Sequence, residues 1–293
     1  MKKILFIIII MIFAVALNGI SLIAEGKEDQ TIKLEDISHL DVVKFNTHRD
    51  KRGVVTDDEW EGFSLEEILN FYNVTEYECL EINSDDNYQV KYTLDEVKEF
   101  KPILATKRNG KVQKDNNLRI VSETRRDMFW VSDLETIKTV HLVQYPMIKT
   151  IYPFSYIQGK IALYDEPKPF TKCKGYYFKD MKEIMVNTVR RPVQLVTKDG
   201  FTQELEYHKF VERAVLIKND DNTIDIKSPT MPGGMWPKSL RKITFDDTVL
   251  LFDDDLEKLD EKQIKEIFSL DADKKITFEY VDNTKKIKKV VIQ

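Results

Sequence analysis

Trp130-Val131-Ser132-Asp133-Leu134-Glu135-Thr136-Ile137 returns later in the chain as Trp236-Pro237-Lys238-Ser239-Leu240-Arg241-Lys242-Ile243. Both segments keep Trp-x-x-x-Leu-x-x-Ile, and from Leu118 onward the two align without a gap. They close two longer stretches written to one plan, Gly62 to Val143 and Gly175 to Val249. Each stretch opens on a Gly and a helical stripe: Gly62, Leu65, Ile68, Leu69, then Gly175, Met181, Ile184, Met185. Each continues with strand, turn and strand: Leu80-Glu81-Ile82, Asp86-Asn87-Tyr88, and then Gln194-Leu195-Val196, Asp199-Gly200-Phe201. An internal repeat sets the architecture before any single residue is read. It also supplies a comparison, since a residue kept in both copies serves the fold and one found in a single copy is a site candidate.

The local chemistry supports this plan. Ser64 followed by Glu67 predicts a capping box at a helix start, with Leu65, Ile68, Leu69 and Tyr72 on one face. Asp86-Asn87 and Asp199-Gly200 suit tight turns that need positive φ. Val90 and Tyr92, like Leu205 and Tyr207, follow with the period of a half-buried strand. Ile32 to Phe45 alternates weakly and reads as short strands. Pro146, Pro153, Pro167 and Pro169 punctuate the region between the copies and place the boundary near residue 148. After the acidic run Asp253-Asp254-Asp255, Leu256, Leu259, Ile264, Ile267 and Phe268 predict short helices. Ile276, Phe278 and Tyr280, a turn at Asp282-Asn283, and Ile287 to Ile292 predict a hairpin that docks on the second copy, because so short a segment rarely folds alone.

The 293 residues suffice for about two domains, and the apolar fraction of 42% is ordinary for a globular chain. A net charge of −5 argues against nucleic acid as a partner. Met1-Lys2-Lys3 followed by apolar residues from Ile4 to Leu17 has the form of a Sec-type signal peptide. Ala24 is a candidate small residue before its cleavage point, although Leu22 fits that site badly. The apolar stretch reaches Ile23, long enough for an uncleaved anchor as the alternative. Cys79 and Cys173 leave two readings open, one disulfide in an oxidising compartment or two ordinary thiols.

Several chemistries find no support. The histidines His39, His48, His141 and His208 lack the spacing of a helical zinc site. No nucleophile elbow or P-loop occurs. Asp271-Ala272-Asp273 is followed by Lys274-Lys275, where a calcium loop needs oxygen ligands. Gly233 and Gly234, in Pro229 to Trp236, can admit a ligand close to the backbone or make a tight connection. Met235 and Trp236 could also form an exposed apolar patch for a partner.

Trp60-Glu61-Gly62-Phe63-Ser64-Leu65-Glu66-Glu67-Ile68-Leu69, Ser84-Asp85-Asp86-Asn87-Tyr88, Leu104-Ala105-Thr106-Lys107-Arg108-Asn109-Gly110, Leu118-Arg119-Ile120-Val121 and Trp130 to Ile137 follow one another in a particular order. Together they resemble the oxidoreductase molybdopterin-binding domain of the sulfite-oxidase-type fold, over roughly residues 36 to 250. The resemblance implies an α+β domain able to hold a molybdenum–pterin cofactor, with a Cys thiolate on the metal. That Cys would lie upstream of the Trp60 motif, where Val42-Val43-Lys44-Phe45-Asn46-Thr47-His48-Arg49 has none. The second copy has Ile161 to Asp165 there, also without Cys. The resemblance further implies cationic contacts to the pterin phosphate. Arg119 matches the family's Arg, Arg108 stands nearby, and His48 follows the position of the missing ligand. In the second copy Asp225 aligns with Arg119, and Lys218 is read as the counterpart of Arg108.

The expectation is an α+β protein of two tandem sulfite-oxidase-like domains: a signal or anchor at 1–25, copy one at 26–147, a diverged copy two at 148–254, and a helix-plus-hairpin appendage at 255–293. It is read as exported to the periplasm or cell surface and as a non-catalytic binding or structural module. No cofactor is expected, and the partner is an envelope protein or a small anion. A membrane is involved only if the leader stays uncleaved. The alternatives are a molybdopterin-dependent oxidoreductase using copy one, or a small-anion or peptide binder in the old cofactor cleft. The candidate contacts are Arg119, Arg108 and His48.

Overall fold

A computed structural model describes residues 19–51, 54–113, 118–185, 189–252, 259–268, 270–282 and 284–293. The leader up to residue 18, the acidic run from Asp253 to Leu256, and Asn283 lie outside them, as does the side chain of Ile184. The chain divides into two compact units, one of residues up to Asp85 with Gln89–Val140, the other of Asp86–Tyr88 with His141–Gln293. The division at Val140 falls a little before the Pro-rich region. Both units are rich in β-strands, with a few short helices.

The first unit contains β1 (Ile20–Ile23), β2 (Gln30–Ile32), α1 (Leu34–Ile37), β3 (Val42–Lys51), β4 (Val54–Ser64), α2 (Leu65–Phe71), β5 (Cys79–Ser84) and β6 (Gln89–Thr93). It continues with α3 (Leu94–Phe100), β7 (Ile103–Arg108), β8 (Lys111–Val112), β9 (Arg119–Val121), β10 (Val131–Ser132) and β11 (Leu134–Val140). One sheet runs β2-β1-β11-β5-β6, and the other runs β10-β9-β7-β4-β3 with β8 beside β7. Ile32 to Phe45 is not simply short strands, because α1 interrupts it and buries Ile37. Ser64 does cap α2, accepting from the Glu67 N–H at 3.4 Å. The reciprocated box sits instead at Thr93 and Glu96, where α3 begins. Asn87 takes φ +68°, as its turn requires.

The second unit contains β12 (Thr150–Pro153), α4 (Phe154–Gln158), β13 (Tyr164–Asp165), β14 (Lys174–Tyr177), α5 (Phe178–Met185), β15 (Val193–Thr197), β16 (Thr202–Leu205), β17 (Val215–Lys218) and β18 (Ile224–Lys227). It ends with β19 (Leu240–Phe245), β20 (Thr248–Leu251), α6 (Glu261–Ile267), β21 (Ile276–Tyr280) and β22 (Ile287–Ile292). Its large sheet runs β16-β15-β19-β20-β12-β22-β21, and its small one β13-β14-β17-β18. Tyr207 leaves the strand period and opens a π-helical turn, Tyr207–Val211. The C-terminal hairpin is built into the large sheet through β12 and β22, with Ile151, Val249, Ile264 and Val290 in a shared core.

The strand pairings can be matched position by position. In the first unit Gly62 faces Ala105, and Ala105 faces Arg119. In the second Gly175 faces Ile217, and Ile217 faces Asp225. Ile137 faces Ile82, as Ile243 faces Leu195. Both glycines are there for lack of space. A Cβ on Gly62 would lie 2.1 Å from the Leu104 carbonyl oxygen, and one on Gly175 would lie 2.7 Å from that of Leu216. Beside these glycines, Lys218 faces Lys174 where Glu61 faces Lys107, so the registers do not set Lys218 against Arg108.

Neither cysteine is in a disulfide; Cys79 is buried and Cys173 half-buried. Residues Gly233–Met235 make a short 3-10 turn, and Trp236 Nε1 donates to the Met231 carbonyl at 3.0 Å. Met231 and Met235 are buried. The Pro229 to Trp236 run is therefore a tight connection, and its methionines form no exposed patch. Among the described residues, no helix is long and apolar enough to cross a membrane.

Candidate functional site

In an antiparallel sheet, residues that face each other across strands share a side. The registers put Phe45, Thr47 and Arg49 of β3 on one side with Trp60, Asp58 and Thr56 of β4. Arg108 faces Trp60, and Arg119 faces Ala105. Three strands thus deliver three guanidiniums to one sheet face. Under them lies an apolar floor of Trp60, Ile103, Ala105, Val121 and Trp130. The two indoles meet edge to face at 5.9 Å. Arg49 lies 5.2 Å from the Trp130 ring, with Arg108 and Arg119 at 5.2 and 5.7 Å from the Trp60 ring.

The hub of the cluster is Asp58, only 2% exposed. Arg108 grips it with Nε to Oδ1 and Nη2 to Oδ2, both 2.8 Å. Arg49 Nη2 donates to Oδ2 at 2.8 Å, and Asn109 Nδ2 to Oδ1 at 3.0 Å. Arg108 chiefly, with help from Asn109 and Arg49, holds this carboxyl down to about 2 against the opposing effect of burial. The geometry is prepared locally. Asn109 and Gly110 both take positive φ, +52° and +72°, in the two-residue link between β7 and β8. Asn109 also exchanges backbone and side-chain bonds with Glu59, each 2.8 Å. Trp60 Nε1 is fixed on Thr47 Oγ1 at 2.9 Å.

What remains open is cationic. One carboxylate sits among three guanidiniums, and its four bonds go to Arg108, Arg49 and Asn109. The Arg119 side chain makes no hydrogen bond or ion pair among the described residues, and its guanidinium rests against the Trp60 ring. Its pKa is lowered by burial first, then by repulsion from Arg108 and Arg49, with Asp133 and Asp58 the lesser, opposing influences. Among the described residues, two buried donors in the cluster have no partner, Arg49 Nε and Trp130 Nε1. Each such orphan costs about 1–3 kcal/mol. Asp127 approaches Arg49 only to 4.0 Å.

Of the residues expected from sequence, the fold brings Arg108 and Arg119 together. His48 does not join them. It lies one residue from Thr47 and Arg49, so it points to the opposite face, where it is exposed and 2.6 Å from Asp57. Sequence reading missed Asp58, whose burial shows only once β3, β4 and β7 are paired. Among the described residues, the second unit has no such cluster at the corresponding registers. Its Asp225 stands where Arg119 does, with Oδ1 accepting from the Ser239 N–H at 2.8 Å.

The donor set does not fit the metal that the sequence resemblance implies. A soft thiolate is needed there, and β3 offers Thr47 and Asn46. Cys79 is buried in the other sheet of the unit. Among the described residues, no group of three or more His, Cys, Asp or Glu is arranged to hold a metal ion.

No family model matches the chain, and no curated protein does. Among solved structures, the sulfane dehydrogenase SoxCD from Paracoccus pantotrophus is similar over 80% of this chain and 77% of its own, at 8% identity and a TM-score of 0.36. That likeness is a distant one of fold and brings no activity with it.

Proposed function

We propose that this chain is an exported, non-catalytic binding module whose first unit holds a small oxyanion between Arg119, Arg49 and Trp130. The observation that carries this reading is the pair of buried orphan donors, Arg49 Nε and Trp130 Nε1, in a cluster where a third cation is unbonded. An oxyanion would accept from them and relieve the repulsion among the arginines, through charge-assisted bonds of the stronger kind. A structural ion-pair network explains Arg108 and Arg49 on Asp58, but leaves these donors without a purpose. The matched strand pairings support a duplicated architecture in which only the first copy carries the site. The basic start and apolar run of the N-terminus support export.

Calorimetric titration of the exported protein with sulfate, phosphate and molybdate at low salt tests the reading. Binding of at least one anion is expected, weakened roughly ten- to a hundredfold by Arg119→Asp. That substitution places an Asp where the second unit already tolerates one. No heat with any of the three, or equal affinity in R119D, would sink the proposal.

A further inference from the structure

The strand β1 is an interior part of the first unit. It lies between β11, which it pairs in parallel, and β2. Leu22 faces Ile137, and Ile20 faces Ile32. Ile20 and Leu22 are 2% and 1% exposed, and Ala24 is buried too. The Glu25 N–H donates to Thr139 Oγ1 at 3.0 Å, tying the end of the strand to β11. A leader cut after Ala24 would remove this strand whole. It would strip β2 of its partner in the sheet and expose the edge of β11, where Ile137 is fully buried.

The sequence holds a better cut further back. Leader peptidases read small residues at the last and third-last positions of the leader, just after an apolar run of about 7–15 residues. Lys2-Lys3, the run Ile4 to Phe13, and Ala14-Val15-Ala16 meet that requirement in order. At Ala24 the third-last position would be Leu22, which is large. Leu17-Asn18-Gly19 then leads directly into β1. We propose that the chain is processed between Ala16 and Leu17, so that β1 stays in the mature protein. A leader peptidase adds water across that amide, releasing Ala16 as a carboxylate and leaving Leu17 as the new amine. The inference rests on the export reading and adds the site of processing to it.

The test is N-terminal sequencing and intact mass of the product exported by the full chain with its own leader. Mature protein beginning at Leu17 is expected, and Ala16→Tyr is expected to accumulate the uncut chain. A mature N-terminus at Glu25 would overturn the proposal while leaving export standing. An uncut chain held in the membrane would overturn both this proposal and the cleavable leader. Unchanged processing in A16Y would also overturn the assigned bond. Chains made directly from Leu17 and from Glu25 separate the structural argument from the peptidase. The first should protect the amides of β11 from exchange and the second should lose that protection. Equal protection would refute the argument from β1.

Discussion

Asp58→Asn should destabilise the first unit by about 3–5 kcal/mol at neutral pH, the usual effect of removing one member of a buried ion pair. Asn keeps the shape of Asp58 but turns an amide N–H₂ toward donors. Arg108 and Arg49 then lose the carboxylate that holds them, and their like charges face each other above Trp60 and Trp130. The effect should depend on pH in one direction. The folded pKa of Asp58 is depressed, from the ordinary 3.8 to about 2. Its contribution is therefore complete above pH 4 and fades as the pH falls through 2. The linked part is roughly 2 kcal/mol. Hydrogen exchange across Val54–Ser64 in wild type and D58N, at pH 7 and in acid, measures both. A difference under about 0.5 kcal/mol at neutral pH would remove Asp58 from its place as hub, and a gap that does not narrow in acid would remove the charge argument.

Gly62→Ala should be as damaging, by at least about 3 kcal/mol, at the upper end of what overpacking costs. The new methyl would stand 2.1 Å from the Leu104 oxygen and 2.8 Å from the Ala105 Cα. Those are backbone atoms, so no side-chain rotation relieves the contact, and β4 must part from β7. Arg108 is placed by that same pairing and Arg119 by the pairing of β9 on β7, so anion binding should fall with stability. Gly110→Ala is the comparison. No atom lies within 4 Å of its Cβ position, and only the positive φ opposes it, which costs about 1 kcal/mol. Denaturation and titration of the two variants give the ranking. If G62A were no worse than G110A, the close approach of β4 and β7 would not exist in solution.

These two residues also show what could be read from the chain. Gly62 and Gly175 stood out because each opens one of two similar stretches, and both prove to sit where a neighbouring strand leaves no room for a Cβ. The helix stripe of Leu65, Ile68 and Leu69 and the turn at Asn87 obey local rules and were legible for that reason. The hairpin of β3 and β4 was not. Thr47 to Lys51 and Thr56 to Glu61 are too polar to look like strands, because one face carries a charged cluster and the other His48, Asp57 and Glu61 with its lysines. Asp58 was invisible for a related reason. Its partners come from β3, β7 and the link after β7, and only long-range pairing reveals that a carboxylate in a polar run is buried. Arg119 was singled out because it matches the motif of the family that the sequence resembles and because the aligned residue of the second stretch is Asp225.

The C-terminal hairpin has a consequence for the order of events during synthesis. Strand β12 is made long before β22, which pairs with it through Ile151 and Val290. Until β22 emerges, the growing chain carries β12 as an uncovered edge, the kind of surface on which nascent chains adhere to one another. The hazard is contained by its brevity, since the exposed strand is four residues long and ends at Pro153, which has no N–H to offer. A ribosome stalled before β22 would thus hold a chain whose first unit is fully made and whose β12 still lacks one neighbour. Quality control that monitors open edges would then meet the short stretch Thr150 to Pro153, which β22 closes in the folded unit.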